Sequence, residues 1–276
     1  MNSDYTSDEM MTVAAARTLR DGAVCFVGIG LPSAVANLAR LTHAPNLVLI
    51  YESGTIGSRP EVLPLSIGDG ELATTATAVV SLPEIFAYWL QAGRIDVGFL
   101  GAAQIDRFGN LNSTVIGPYD HPTTRLPGAG GAQEISTHAR ETYVVLKQSA
   151  RTFVPALDFR TSAGFMEGGS ARLRSGAPGA GPTQVITDLG ILRPHPETRE
   201  LQLCERYQGV TLEQAVAATG WPLRMAERVE TLPPPTVIEL AILRELHART
   251  REAHLRPVLP KAGHTQDRTA RGVRMH

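Results

Sequence analysis

Cysteine is nearly absent from this chain: Cys25 and Cys204 are its only two, and both lie in apolar, strand-like runs. A disulfide framework or a thiolate metal site is therefore excluded. Neither sign of charge is in excess, since 26 basic and 27 acidic side chains leave a formal net charge of -1. A nucleic-acid or anionic-membrane surface would need a clustered basic surplus that this balance does not supply. No uninterrupted apolar run reaches the roughly 18 residues needed to span a bilayer, and the opening MNSDYTSDEMM is polar and acidic where a secretory leader would be apolar. His43, His195, His247 and His254 show no pairing at ligand spacing, so no metal is expected. No repeat of solenoid or propeller period is present. These absences predict a soluble, cytoplasmic protein without nucleic-acid or membrane partners.

What the sequence does contain is a succession of short apolar strands and helices. Apolar residues recur at helical spacing over residues 8–19, and AVCFVGIG (23–30) reads as a strand ending in glycines. LPSAVANLARL (31–41) predicts a helix, with Pro32 tolerated in its first turn. NLVLIYE (46–52) is nearly continuously apolar, as in a parallel strand buried on both faces. Residues 81–94 predict an amphipathic helix, 95–106 another buried strand, and RFGN (107–110) a turn. Further strands are predicted over 142–147 and 183–193, and further helices over 211–220 and 233–255. The alternation predicts an α/β fold with an open, largely parallel sheet flanked by helices. Residues 1–255 are expected to form one domain, and the basic, Gly/Pro-containing stretch 256–276 a disordered tail.

Three glycine-bearing segments mark candidate chemistry: FVGIGLP (26–32), YESGTIG (51–57) and LPGAGGAQEIS (126–136). Each lies at or near a strand end, where open α/β sheets gather ligands. The first is not a dinucleotide fingerprint, because Ser33 stands where the third glycine of that motif would be. Glu52, closing an apolar strand, is costly to bury unless N–H groups or a cation compensate its charge. A carboxylate there can attack an activated acyl group if donors stabilise the oxyanion. Read alone, it serves equally as an exposed loop or capping residue. The run Gly128, Ala129, Gly130, Gly131 lets the backbone approach a ligand and present N–H groups, though a plain flexible loop has the same composition. Arg59 and Arg125 are candidate contacts for an anionic substrate and equally plain surface residues. Ser113, His121 and His138 form no readable nucleophile–base spacing.

GIGLP, a strand ending in ESG, and LPGAGGAQEI together resemble the glutamate-bearing β subunit of family I CoA-transferases, the glutaconate and 3-oxoacid group. LPLSIGD (63–69), LGAAQIDRFGNLNST (100–114), VITDLGIL (185–192), GVTLEQAVAATGW (209–221) and ELAILREL (239–246) extend the resemblance over residues 8–248. It implies a NagB-like open α/β fold and an active site shared with an α subunit. Coenzyme A is then a substrate and covalent intermediate, with no permanently bound cofactor. The resemblance puts the nucleophile on Glu52, which would pass through a glutamyl–CoA thioester in a ping-pong exchange between an acyl-CoA and a carboxylic, dicarboxylic or oxo acid. It places Gly128, Gly130, Gly131 and Ala132 at the thioester and oxyanion pocket. Ser53, Gly54, Gln104 and Asn110 follow as weaker pocket candidates, the last two also explicable as turn and strand-end hydrogen bonding. Ser53 stands where many 3-oxoacid transferases carry Asn. A ring-opening acyl-CoA hydrolase of the same fold, as in steroid catabolism, is the alternative.

Overall fold

The computed structural model describes residues 5–255, so the tail expected over 256–276 lies outside the described residues. Helix α1 (Ser7–Arg17) opens the chain behind a capping box, in which Thr6 Oγ1 accepts from Glu9 N and the Glu9 carboxylate accepts from Thr6 N. Strand β1 (Val24–Phe26), helix α2 (Leu31–Leu41) and strand β2 (Val48–Ile50) follow. The chain then turns back through β3 (Thr55–Ile56), α3 (Gly70–Thr74) and β4 (Ala78–Val79). One α-helical turn, α4 (Leu82–Glu84), leads into a π-helical segment, Ile85–Leu90. Strand β5 (Val97–Leu100) precedes two small hairpins, β6 (Gln104–Ile105) with β7 (Leu111–Asn112) and β8 (Val115–Ile116) with β9 (Thr124–Arg125). After α5 (Ala132–His138) come β10 (Glu141–Val145), α6 (Ala171–Arg174) and β11 (Pro182–Ile186). Strands β12 (Gly190–Pro194) and β13 (Leu201–Tyr207), helix α7 (Leu212–Ala217), strand β14 (Arg224–Leu232) and helix α8 (Val237–Leu255) complete it.

Ten strands form one mixed sheet in the order β14-β13-β12-β11-β10-β5-β1-β2-β3-β4. Its centre, from β2 through β1, β5 and β10 to β11, is parallel. Successive residues of these strands point to opposite faces. Cys25, Leu49, Phe99 and Tyr143 face a core with α1, α2 and α8, whereas Phe26, Ile50, Leu100 and Val144 face a second core with the π segment and α5. Gly98 is what seats α5 on β5, since a Cβ there would stand 2.4 Å from Ile135 Cγ2. The expected open, largely parallel α/β sheet is thus what forms, with antiparallel strands added at both ends.

Three of the expected elements change in detail. The strand predicted over 95–106 stops at Leu100, and residues 104–105 join a separate hairpin in which the Asn112 Nδ2 donates to Gln104 Oε1 (2.7 Å). The strand predicted over 183–193 is two strands, because Thr187 Oγ1 accepts from the N–H groups of Leu189 and Gly190 (both 3.1 Å) and closes a turn between them. The helix predicted over 81–94 widens to i→i+5 hydrogen bonds such as Gln91 N to Phe86 O (2.8 Å), a form found preferentially at functional sites. No helix of the described residues is long and apolar enough to cross a membrane.

Charged pairs fasten α8 to α1. Arg244 Nε donates to Glu9 Oε1 at 2.6 Å, and Arg17 meets both oxygens of Glu239 at 2.7 Å. The Arg244 hydrogen bond lowers Glu9 from 4.5 to about 2; burial opposes the same change at Glu239, but Arg17 and Thr236 outweigh it and bring that carboxyl to about 2 as well. Folding therefore favours the ionised form of both. This contribution is complete above about 4.5, the unfolded value, and is lost as pH falls towards about 2. Amide exchange along α8, corrected for its intrinsic rate, is expected to accelerate across that acid range in the native protein and to change little there in an E9Q/E239Q variant. An acid response that the double variant keeps in full would refute the assignment.

Candidate active site

Glu52 sits on a tight turn immediately after β2. Gly54 N donates to Tyr51 O (3.0 Å) and Tyr51 N to Thr55 O (3.1 Å), so Glu52 and Ser53 form the tip of the β2–β3 hairpin. Both ends of this turn are anchored. Tyr51 is wholly buried, and its hydroxyl pairs with Ser33 Oγ of α2 at 2.8 Å, which gives Ser33, just past the first glycine segment, a structural role. Burial pushes the Tyr51 hydroxyl pKa up, keeping it a neutral hydrogen-bonding group. On the other side Val80 N donates to Gly54 O (2.9 Å). Gly54 has φ +105°, and a Cβ would lie 1.9 Å from Val80 O, so only glycine closes this turn.

The third glycine segment lies in the connection from β5 to β10. Leu126 N donates to Thr114 O (3.0 Å), Gly128 N to Ser113 O and Ser113 Oγ to Gly128 O (both 2.9 Å), which ties the loop to the hairpin region before α5. Gly128 and Gly130 take positive φ, +102° and +48°, with open space where a side chain would be. Gly131 then starts α5 directly against Glu52. A Cβ on Gly131 would stand 3.4 Å from Glu52 Oε1 and 2.8 Å from Phe86 Cζ. Glu52 and Gly131, 79 positions apart by subtraction of their numbers, thus share one site, with Ala132 following as the first residue of α5.

Electrostatically this site is underused. Among the described residues no cation pairs with the Glu52 carboxylate and no side chain donates a hydrogen bond to it. Nor do the N–H groups of Gly130 and Gly131 donate to any carbonyl among the described residues. Ser53 Oγ, next to Glu52 in the chain, is buried without a hydrogen-bond partner among the described residues. An unpaired carboxylate close to backbone N–H groups that make no other hydrogen bond is the kind of arrangement acyl transfer uses.

Gln104 and Asn110 are placed otherwise. Gln104 Nε2 donates to Asp158 Oδ2 (2.9 Å) while its Oε1 accepts from Asp158 N and Asn112 Nδ2. Asn110 donates to Asp106 Oδ2 and Met166 O (both 2.8 Å) and accepts from Gly164 N and Met166 N. Both amides are buried and fully engaged in holding loops together. Arg125 lies over the Tyr119 ring (5.0 Å), and Arg59 donates to Pro45 O (3.3 Å). His138 pairs with Glu134 one helical turn away. Cys25 is a core residue whose thiol is pushed up to about 12 by burial. Phe86 had no sequence signal: only the widened π turn, with its ring edge-on to Phe26 at 5.9 Å, brings it against Gly131. Cavities of about 630 Å³, between α1, α2 and α8, and about 600 Å³, beside α6, do not contain Glu52 or the glycine loop.

The chain belongs to the coenzyme A transferase family, whose pattern matches residues 8–218. It is 61% identical over 252 residues to one of the subunits of 3-oxoadipate CoA-transferase from Pseudomonas knackmussii, covering 91% of this chain and 97% of that one. It is 38% identical over 247 residues to the corresponding subunit of glutaconate CoA-transferase from Acidaminococcus fermentans, covering 86% and 91%. The crystal structure of glutaconate coenzyme A-transferase from A. fermentans superposes with a TM-score of 0.83 at 34% identity, over 88% of this chain and 94% of that chain.

Proposed function

We propose that this chain is the glutamate-bearing subunit of a two-subunit CoA-transferase, acting on a 3-oxo dicarboxylic acid of the 3-oxoadipate kind and an acyl-CoA donor. The observation that carries the reading is the Glu52 carboxylate on an anchored turn, with Gly131 beside it. The substrate class rests on the 61% identity to a 3-oxoadipate CoA-transferase subunit.

In the proposed reaction a Glu52 oxygen attacks the thioester carbonyl of the donor. The Gly130 and Gly131 N–H groups stabilise the oxyanion. Collapse of the tetrahedral adduct breaks the C–S bond, leaving an acyl–glutamyl anhydride and CoA thiolate. The thiolate attacks the glutamyl carbonyl, releasing the donor acid and forming the glutamyl–CoA thioester. The acceptor carboxylate then attacks this thioester, and the regenerated thiolate takes the acceptor acyl group, freeing Glu52. No net proton or electron is consumed, so the chemistry requires no redox partner. The half-buried Glu52 and exposed Gly130 lie at the surface of the single chain, as expected for a pocket completed by another subunit.

The test is to mix the chain, its partner subunit and acyl-CoA without an acceptor acid, then map CoA on the chain by mass spectrometry. A hydroxylamine-sensitive CoA adduct on the Glu52 peptide is expected, and none with the isolated chain. Addition of water across a ring bond of a cyclic acyl-CoA, with CoA still on the product and no adduct at Glu52, would replace the transferase by the ring-opening hydrolase reading.

A further inference from the structure

Arg172 of α6 is 6% exposed and meets no carboxylate among the described residues. A buried charge without a counter-ion is costly, so its compensation has to come from dipoles. Nε donates to Gly179 O at 2.9 Å. Nη1 donates to Ala163 O at 3.2 Å and Gly164 O at 2.9 Å, and Nη2 to Ser136 O at 2.6 Å and Thr137 O at 3.4 Å. A guanidinium has five N–H donors in a fixed fork, and five carbonyl oxygens meet them.

Two of these acceptors give the contact its direction. Ser136 and Thr137 belong to the last turn of α5, whose carbonyls have no helical N–H ahead of them. A cation there also meets the negative end of the helix dipole. The helix has 7 residues, about 10 Å at its rise per residue, and its other end is Gly131 beside Glu52. The same guanidinium holds Gly164, whose N–H donates to Asn110 Oδ1 (2.9 Å), and Gly179, whose N–H donates to Thr137 O (2.9 Å). Gly179 has no room for a side chain, a Cβ lying 2.0 Å from Ala139 O, so this joint is closely packed.

We infer that Arg172 is a positioning residue for acyl transfer: by clamping the C-terminal turn of α5 it sets where the Gly130–Gly131 N–H groups stand relative to the Glu52 carboxylate. The inference rests on the CoA-transfer reading of Glu52. Lysine would keep the charge but concentrates its donors on one atom, so it cannot span carbonyls from three chain segments.

The experiment compares R172K with the unmodified protein, each in complex with the partner subunit. A positioning role predicts kcat lower by about 10²-fold, as for a displacement of about 1 Å, with KM for acyl-CoA nearly unchanged. It also predicts amide exchange over residues 128–138 faster by at least about tenfold, with β5 and β10 unaffected. Unchanged exchange over 128–138, equal acceleration throughout the sheet, or a raised KM with kcat preserved would overturn it. R172Q, neutral and shorter, serves if R172K does not fold. Failure of both to fold would assign Arg172 to the whole structure and overturn the inference equally. Absence of a Glu52 adduct in the unmodified complex counts against the transfer reading alone, and the exchange data still decide the role of Arg172.

Discussion

Glu52→Gln and Glu52→Ala are expected to lower turnover of the assembled enzyme by at least about 10⁴-fold, as loss of a nucleophile does when no other group can form the covalent intermediate. The amide of glutamine fills the same space but cannot attack a thioester. The fold should tolerate the change, because among the described residues the Glu52 carboxylate is in no ion pair and accepts no side-chain hydrogen bond. Melting temperature is therefore expected to stay within a few degrees of the unmodified protein, which separates lost chemistry from lost structure. Glu52→Asp keeps the carboxylate but draws it back by one methylene, and a displacement of about 1 Å from attack geometry costs about 10²-fold. The series Glu, Asp, Gln should thus fall in steps, read by kcat and by the yield of the CoA adduct. An E52Q enzyme that keeps more than a tenth of the activity would sink the nucleophile assignment.

Gly131→Ala is expected to cost about 10²-fold in kcat for a different reason. Gly131 has φ -80°, which alanine adopts freely, so no backbone strain is involved. What an added methyl meets is Phe86 Cζ at 2.8 Å and Glu52 Oε1 at 3.4 Å. The ring or the helix end has to move, and overpacking of this sort costs about 1–3 kcal/mol in stability. Because the main clash is with Phe86, G131A should cost less activity in the F86A background than in the unmodified protein. Full activity in G131A would show that the approach of Gly131 to Glu52 is not what the reaction needs, and a deficit that F86A does not relieve would refute the assignment of the clash to Phe86.

Residues 31–41 and 142–147 read correctly as a helix and a strand because their burial pattern is a local property: 3.6-residue spacing in one, continuous apolar side chains in the other. Residues 95–106 and 183–193 did not, because apolar content does not reveal where hydrogen bonds leave the sheet. In the first, the Gln104–Asn112 pairing, and in the second, the Thr187 turn, ends the strand by side-chain bonds invisible to hydropathy. The widened helix over 85–90 has an ordinary amphipathic pattern, so Phe86 carried no mark in the sequence.

The chain by itself determined the alternation of strands and helices, the glycines at +102°, +48° and +105° that only glycine suits, and the presence of a carboxylate at the end of a buried strand. These follow from side-chain polarity and backbone sterics, which act between near neighbours. Tertiary structure alone decided that Glu52 meets Gly131 and not Gln104 or Asn110, and that Arg172 holds the opposite end of the helix Gly131 begins. Such contacts depend on strand order. In the sheet order β10-β5-β1-β2 only β1 separates β2, which Glu52 follows, from β5, whose connection to β10 carries the Gly128–Gly131 loop, so residues far apart along the chain come together. Glu52 was legible as a residue; its neighbourhood was not, because distance along a sequence carries no information about distance across a sheet.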